Sequence, residues 1–143
     1  MIRHILVAFD ASESSRKAAH FAHDLAQQTG ARVTLLYVIE PPRVLPIGPL
    51  DAYLTAGGQH SKEELDAVRT LLDQEAESLP KAQVDKRVEV GRPADTVCQK
   101  AQELQADLIV VGARGHGTGG RWLLGSTSDR IVHQADRAVT VVH

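Results

Sequence analysis

The chain has 143 residues, 43% of them hydrophobic and 24% charged, with a formal net charge of -2. That is enough to bury the core of one globular domain spanning residues 1–143, and it leaves no compositional case for disorder. Acids and bases are spread along the sequence, which gives no electrostatic support for nucleic-acid or anionic-membrane binding, and the single cysteine, Cys98, excludes an internal disulfide framework and a Cys-based zinc cluster.

Met1-Ile2-Arg3-His4 runs directly into a strand-like segment, without a signal-peptide pattern or an apolar run of membrane-spanning length. A soluble, cytoplasmic protein is the expectation. Ile5-Leu6-Val7-Ala8-Phe9 reads as a first strand ending in Asp10-Ala11-Ser12, a polar turn able to cap the next helix. In that helix Ala18, Phe21, Ala22, Leu25 and Ala26 repeat at helical spacing, and Gly30 supplies the stop. Val33 to Ile39 is a second apolar strand, which completes a βαβ unit.

From Glu40 to His60 the pattern breaks, with Pro41, Pro42, Pro46 and Pro49 beside Gly48, Gly57 and Gly58. This is an irregular segment, a candidate lid. Ser61-Lys62-Glu63-Glu64 is a capping-box pattern, and Leu65, Val68, Leu72, Ala76 and Leu79 form one apolar helical face closed by Pro80. Val84 to Val90 alternates apolar and charged residues, as an edge strand would. Pro93 suits a first helical position, and Ala94, Val97, Ala101 and Leu104 make a buried stripe in which Cys98 reads as a packed helix residue.

Asp107 to Val111 is a short, largely β-branched run, followed by a glycine-dense basic loop, a helix from Thr127 to Gln134 and a terminal strand, Ala138 to Val142. Five strands alternating with four helices predict an open α/β sheet with helices on both faces.

The loop carries the chemistry. It leaves a predicted carboxyl edge, where open α/β sheets bind ligands, and its glycines allow close backbone approach. Gly125-Ser126-Thr127-Ser128 then opens a helix whose N–H groups favour an anion. A flexible connector followed by an ordinary N-cap is the plain alternative. Gly115-His116-Gly117-Thr118-Gly119-Gly120 satisfies the dinucleotide pattern G-x-G-x-x-G, but that pattern belongs after the first strand, where this chain has no glycine. Nor is there a Gly-Lys-Ser or Gly-Lys-Thr for a Walker A loop.

Gly112-x-x-Gly115, nine further residues, then Gly125-Ser126, with Val7-Ala8-Phe9-Asp10-Ala11-Ser12 at the first strand, resembles the ATP-binding branch of the universal stress protein family across essentially the whole chain. The resemblance implies a Rossmann-like fold, adenine nucleotide alpha hydrolase-like, with sheet order 3-2-1-4-5. It also implies a regulatory homodimer joined through Val139 to Val142, with ATP and Mg2+ (or Mn2+) as ligands and at most slow hydrolysis. Ala8 and Phe9 would line the base pocket, Val38 would meet the adenine edge with its main chain, and Asp10 would hold the metal side.

Val111, Gly112 and Gly115 would border ribose and phosphates, while Gly125, Ser126 and Thr127 would donate to the phosphate chain. Arg114 and His116 either approach the phosphates or face solvent. Asp10 has the competing reading of a turn-forming acid, and Val38 that of a core residue. His20 and His23, beside Asp24, read as a solvated pair with a minor metal alternative, and Trp122 as a flap or a partner-facing patch. A nucleotide-independent dimeric interaction module is the alternative function.

Overall fold

The computed structural model describes residues 1–41, 60–79, 83–114 and 124–143. Strands β1 (His4–Ala8), β2 (Arg32–Ile39), β3 (Val84–Val90), β4 (Leu108–Gly112) and β5 (Ala138–Val142) form one sheet of order β3-β2-β1-β4-β5. Every neighbouring pair is parallel. Helices α1 (Glu13–Thr29), α2 (Lys62–Ser78), α3 (Pro93–Glu103) and α4 (Ser126–Gln134) connect them.

Because successive strand residues point to opposite faces, the central strands feed two cores. Ile5, Val7, Val33, Leu35 and Val110 pack against Ala18 and Ala22 of α1 and Val68 and Leu72 of α2. On the other face Leu6, Leu36, Ile109 and Val111 meet Val97 and Ala101 of α3 and Ile131 of α4. The sheet is therefore a three-layer filling.

Local chemistry fixes the helix ends. Ser12 caps α1, its Oγ accepting from Ser15 N at 3.1 Å, and Gly30 closes that helix at φ 72°. Ser61 caps α2 in the same way, accepting from Glu64 N at 3.1 Å. Phe21 departs from expectation, being 42% exposed. The buried stripe of α1 runs through Ser15, Ala18, Ala19, Ala22 and Ala26, small residues that bring the helix close to the sheet and leave Phe21 on its flank. Element ends also shift by a residue, with β1 starting at His4, β4 reaching Gly112 and α4 starting at Ser126.

The amino end of the sheet has a polar lock that the sequence did not announce. His4, 3% exposed, places Nδ1 3.1 Å from Leu104 O and Nε2 2.8 Å from Thr34 Oγ1. Burial holds its pKa below the ordinary value. Beside it the Asp107 carboxylate accepts from the N–H groups of Arg3 and His4 at 2.8 and 3.0 Å, which lowers its pKa. No helix among the described residues is long and apolar enough to cross a membrane.

Candidate functional site

The connections from β1 and β4 leave for opposite faces, β1 toward α1 and β4 toward α4. Between two such neighbouring strands a crevice must open at the carboxyl edge. A cleft of about 860 Å³ lies there. The end of β1 contributes Ala8, Phe9 and Asp10, and β2 contributes Val38. From the opposite side come Val111 and Gly112 of β4, then Arg114, then Gly125, Ser126 and Thr127 at the start of α4. Gly115 and His116, the remaining residues of the anticipated site, lie outside the described residues, as do Trp122 and most of the proline-containing segment.

Asp10 forms the turn after β1, its Oδ1 accepting from Ser12 N at 2.9 Å, with Ala11 at φ 63°. The turn-forming reading of Asp10 is thus realised, at a position that also borders the cleft. A chain of serines stitches this turn to β4. Ser12 Oγ donates to Arg114 O at 3.4 Å, and Ser14 Oγ accepts from Arg114 N at 3.2 Å. Ser128 Oγ donates to Gly112 O at 2.6 Å, while Gly125 N donates to Ala113 O at 2.7 Å. Ala113 and Arg114 are thereby held beside Gly125, where the chain leaves β4 and enters α4.

Gly112 owes its identity to packing. A Cβ there would stand 2.6 Å from Ser14 C and 2.7 Å from Ser14 O, so a side chain would push α1 off β4. Gly125 differs. It is the N-cap of α4 at φ -60° and ψ 150°, a conformation open to any residue, and α4 has no side-chain cap bond. Its first-turn residues Ser126, Thr127 and Ser128 line the cleft at the positive end of the helix dipole.

Main-chain polarity at β2 follows from alternation. Leu36 O accepts from Phe9 N at 2.9 Å on the β1 side, and Ile39 O accepts from Gly91 N at 3.0 Å on the β3 side. Within a parallel strand the N–H and C=O of one residue point to one neighbour and those of the next residue to the other. Val38 therefore turns both groups toward the β1 side, past the last β1 pairing at Ala8 and Leu36. One donor and one acceptor stand side by side at the cleft.

The far wall comes from α2, through Glu64, Ala67, Val68 and Leu71, which the sequence reading did not assign to the site. Their three- and four-residue spacing was a visible signal, a second stripe beside the Leu65 to Leu79 face. The Glu64 N–H is the donor to the Ser61 cap, while its side-chain Oε2 lies 2.9 Å from His60 Nδ1. Burial raises the Tyr37 pKa, with further contributions from the charges of Asp10 and Glu64. Carboxylates of Glu40 and Glu64 border the cleft after β2 and from α2, Asp10 borders it after β1, and Arg114 and the α4 terminus border it after β4.

The His20 and His23 pair lies elsewhere. His23 Nδ1 meets Asp24 Oδ1 at 3.3 Å, and His20 Nε2 is 3.9 Å from Glu75 Oε1. Among the described residues no group of three or more His, Cys, Asp or Glu side chains is placed to hold a metal ion.

An open parallel α/β sheet with a mixed polar and apolar crevice at its switch point defines a class of small-ligand binding folds. Within it, the model of the universal stress protein family matches residues 1–143, and the chain belongs to that family. It is 34% identical over 145 residues to the Thermus aquaticus "Universal stress protein in QAH/OAS sulfhydrylase 3'region", covering 99% of both chains. Universal stress protein UspA from Lactobacillus plantarum has a similar structure, with TM-score 0.75 and 28% identity over 99% of this chain and 98% of that one. A universal stress protein solved in complex with cAMP gives TM-score 0.67 and 25% identity over 99% and 97% of the two chains.

Proposed function

We propose that the cleft binds ATP and that the protein is a homodimeric regulatory component of a cytoplasmic stress response, with at most slow hydrolysis. The observation that carries this reading is the paired N–H and C=O of Val38 at the cleft. A donor beside an acceptor complements the N1 and N6 edge of adenine. Across the cleft, the uncapped α4 start and Arg114 suit the phosphates. The cAMP complex of a relative supports an adenine nucleotide as the ligand class.

A divalent cation fits one way only. Asp10 is a single carboxylate, and no ready-made metal cluster stands among the described residues. Such a site suits Mg2+ (or Mn2+) that arrives with phosphate oxygens and keeps several waters. When bound, the ion would supply charge neutralisation to the phosphates. Gly115 and His116 complete the phosphate side in this reading, and Val139 to Val142 form the dimer seam.

Isothermal titration with ATP and magnesium tests the proposal, together with mass spectrometry of protein purified without added nucleotide. Saturable binding, weakened by Gly115→Val, is expected. Absence of binding by the parent, or a Gly115→Val variant that binds as the parent does, would overturn it and leave the nucleotide-independent interaction module.

A further inference from the structure

Glu75 is a charged side chain that the proposed nucleotide contacts do not use, yet it is only 2% exposed. Its Oε2 lies 2.6 Å from Arg16 Nη1, which joins α2 to α1. Its Oε1 has no hydrogen-bond partner among the described residues, and His20 Nε2 lies 3.9 Å from it. Only the Glu75 side of the pair is buried, the Arg16 side chain being 41% exposed. A buried carboxylate with one oxygen unsatisfied is a poor stabiliser, because its desolvation offsets much of the Coulomb attraction. Its placement is more informative. Arg16 also lies over the Phe9 ring, 5.7 Å from the centroid, and Phe9 directly follows β1 at the cleft while only 2% exposed.

Glu75 follows Glu64, Val68 and Leu71 along the helix at spacings of three and four residues, so it continues the stripe by which α2 walls the cleft. One guanidinium therefore ties together the α2 wall, the α1 helix and the end of β1. We propose that Arg16 and Glu75 are positioning residues that hold α2 at the separation from the β2 edge needed to grip a purine base. This inference rests on the nucleotide reading above. The pair acts on base selection through the wall, and the phosphate end across the cleft is independent of it.

The test compares ATP and CTP affinities, with magnesium, for the parent and for Arg16→Met/Glu75→Met, which replaces the pair by apolar groups of similar length. The parent should prefer ATP, since a pyrimidine is the smaller base and would meet the α2 wall less closely. The double variant should unfold near the parental temperature, lose roughly tenfold in ATP affinity and keep its CTP affinity. Loss of both ligands by one common factor would mark a general structural effect and overturn the inference, as would unchanged ATP binding or a parent that binds CTP as tightly as ATP. Arg16→Lys keeps a cation opposite Glu75 but removes the flat group from Phe9, and it serves if the double variant does not fold. It should lose ATP affinity severalfold with CTP unchanged, and parental ATP binding by Arg16→Lys would count against the pair. A parent that binds CTP but not ATP, or neither, removes the nucleotide reading itself and this inference with it.

Discussion

Gly112 is bounded by backbone, so the cost of a methyl group there follows directly from geometry. Ser14 C and O belong to the first turn of α1 and cannot rotate out of the way. Gly112→Ala should destabilise the fold by about 2 kcal/mol, the usual scale of overpacking, measured as a lower urea midpoint with an unchanged slope. This glycine was conspicuous in the sequence as part of a spaced motif, but its partner, Ser14, was not. Their contact is between segments far apart in the chain, and nothing local to either announces it. His4 was illegible for the same reason, since a histidine at the start of a strand becomes a buried lock only when Thr34 and Leu104 close around it. Its folded-state pKa lies below the unfolded value of 6.5. The unfolded chain thus binds the proton more readily, and the stability from keeping His4 neutral is complete above pH 6.5 and declines as pH falls below it. Urea titrations between pH 8 and pH 5 should show that decline, and His4→Gln should flatten it.

At the scale of elements, α1 and α2 begin with a side-chain cap, whereas α3, entered from Arg92 with proline in its first turn, and α4 begin without one. Ser12 and Ser61 occupy the first-turn N–H groups of α1 and α2 with their own hydroxyls, and both were readable from the sequence because capping is a local rule. Gly125 leaves those of α4 without a side-chain cap although its backbone conformation would accept serine or aspartate. In the proposed nucleotide reading, glycine at this position keeps the helix start open to phosphate, which a capping side chain would not. Gly125→Asp should hold or raise thermal stability by a few tenths of a kcal/mol through capping. It should also lower ATP affinity at least tenfold, because the carboxylate occupies the donors and repels phosphate. Thermal melts and calorimetric titrations on the same preparation separate the two effects. A loss of stability accompanying the loss of affinity would point instead to steric damage. The α2 wall was the part of the cleft least legible in advance. Its second stripe overlaps the stronger core stripe, and periodicity alone does not say which of two faces meets a ligand.

For the whole molecule, the two outer edges of the sheet are chemically unlike. β3 carries Asp85, Lys86, Arg87 and Glu89, and charged residues of this kind discourage strand addition. β5 is Ala138-Val139-Thr140-Val141-Val142, uncharged and only partly buried from Val139 onward. A second copy meeting this sheet edge to edge would therefore do so at β5. Alternation again gives the donors. Val142 O accepts from Ala113 N at 2.7 Å on the β4 side, so the polar groups of Val139 and Val141 point to the outer side. Proline at Val141 would delete one outward N–H without removing a bond to β4, the one kind of strand position where proline is tolerated. Val141→Pro should thus convert the proposed homodimer to a folded monomer, seen as a halved mass by light scattering with a retained circular dichroism spectrum. Thr140→Pro should behave differently, since the Thr140 N–H faces β4 and its loss weakens the sheet itself. A Val141→Pro protein that keeps the parental dimeric mass would exclude strand β5 as the seam and direct attention to the helical faces.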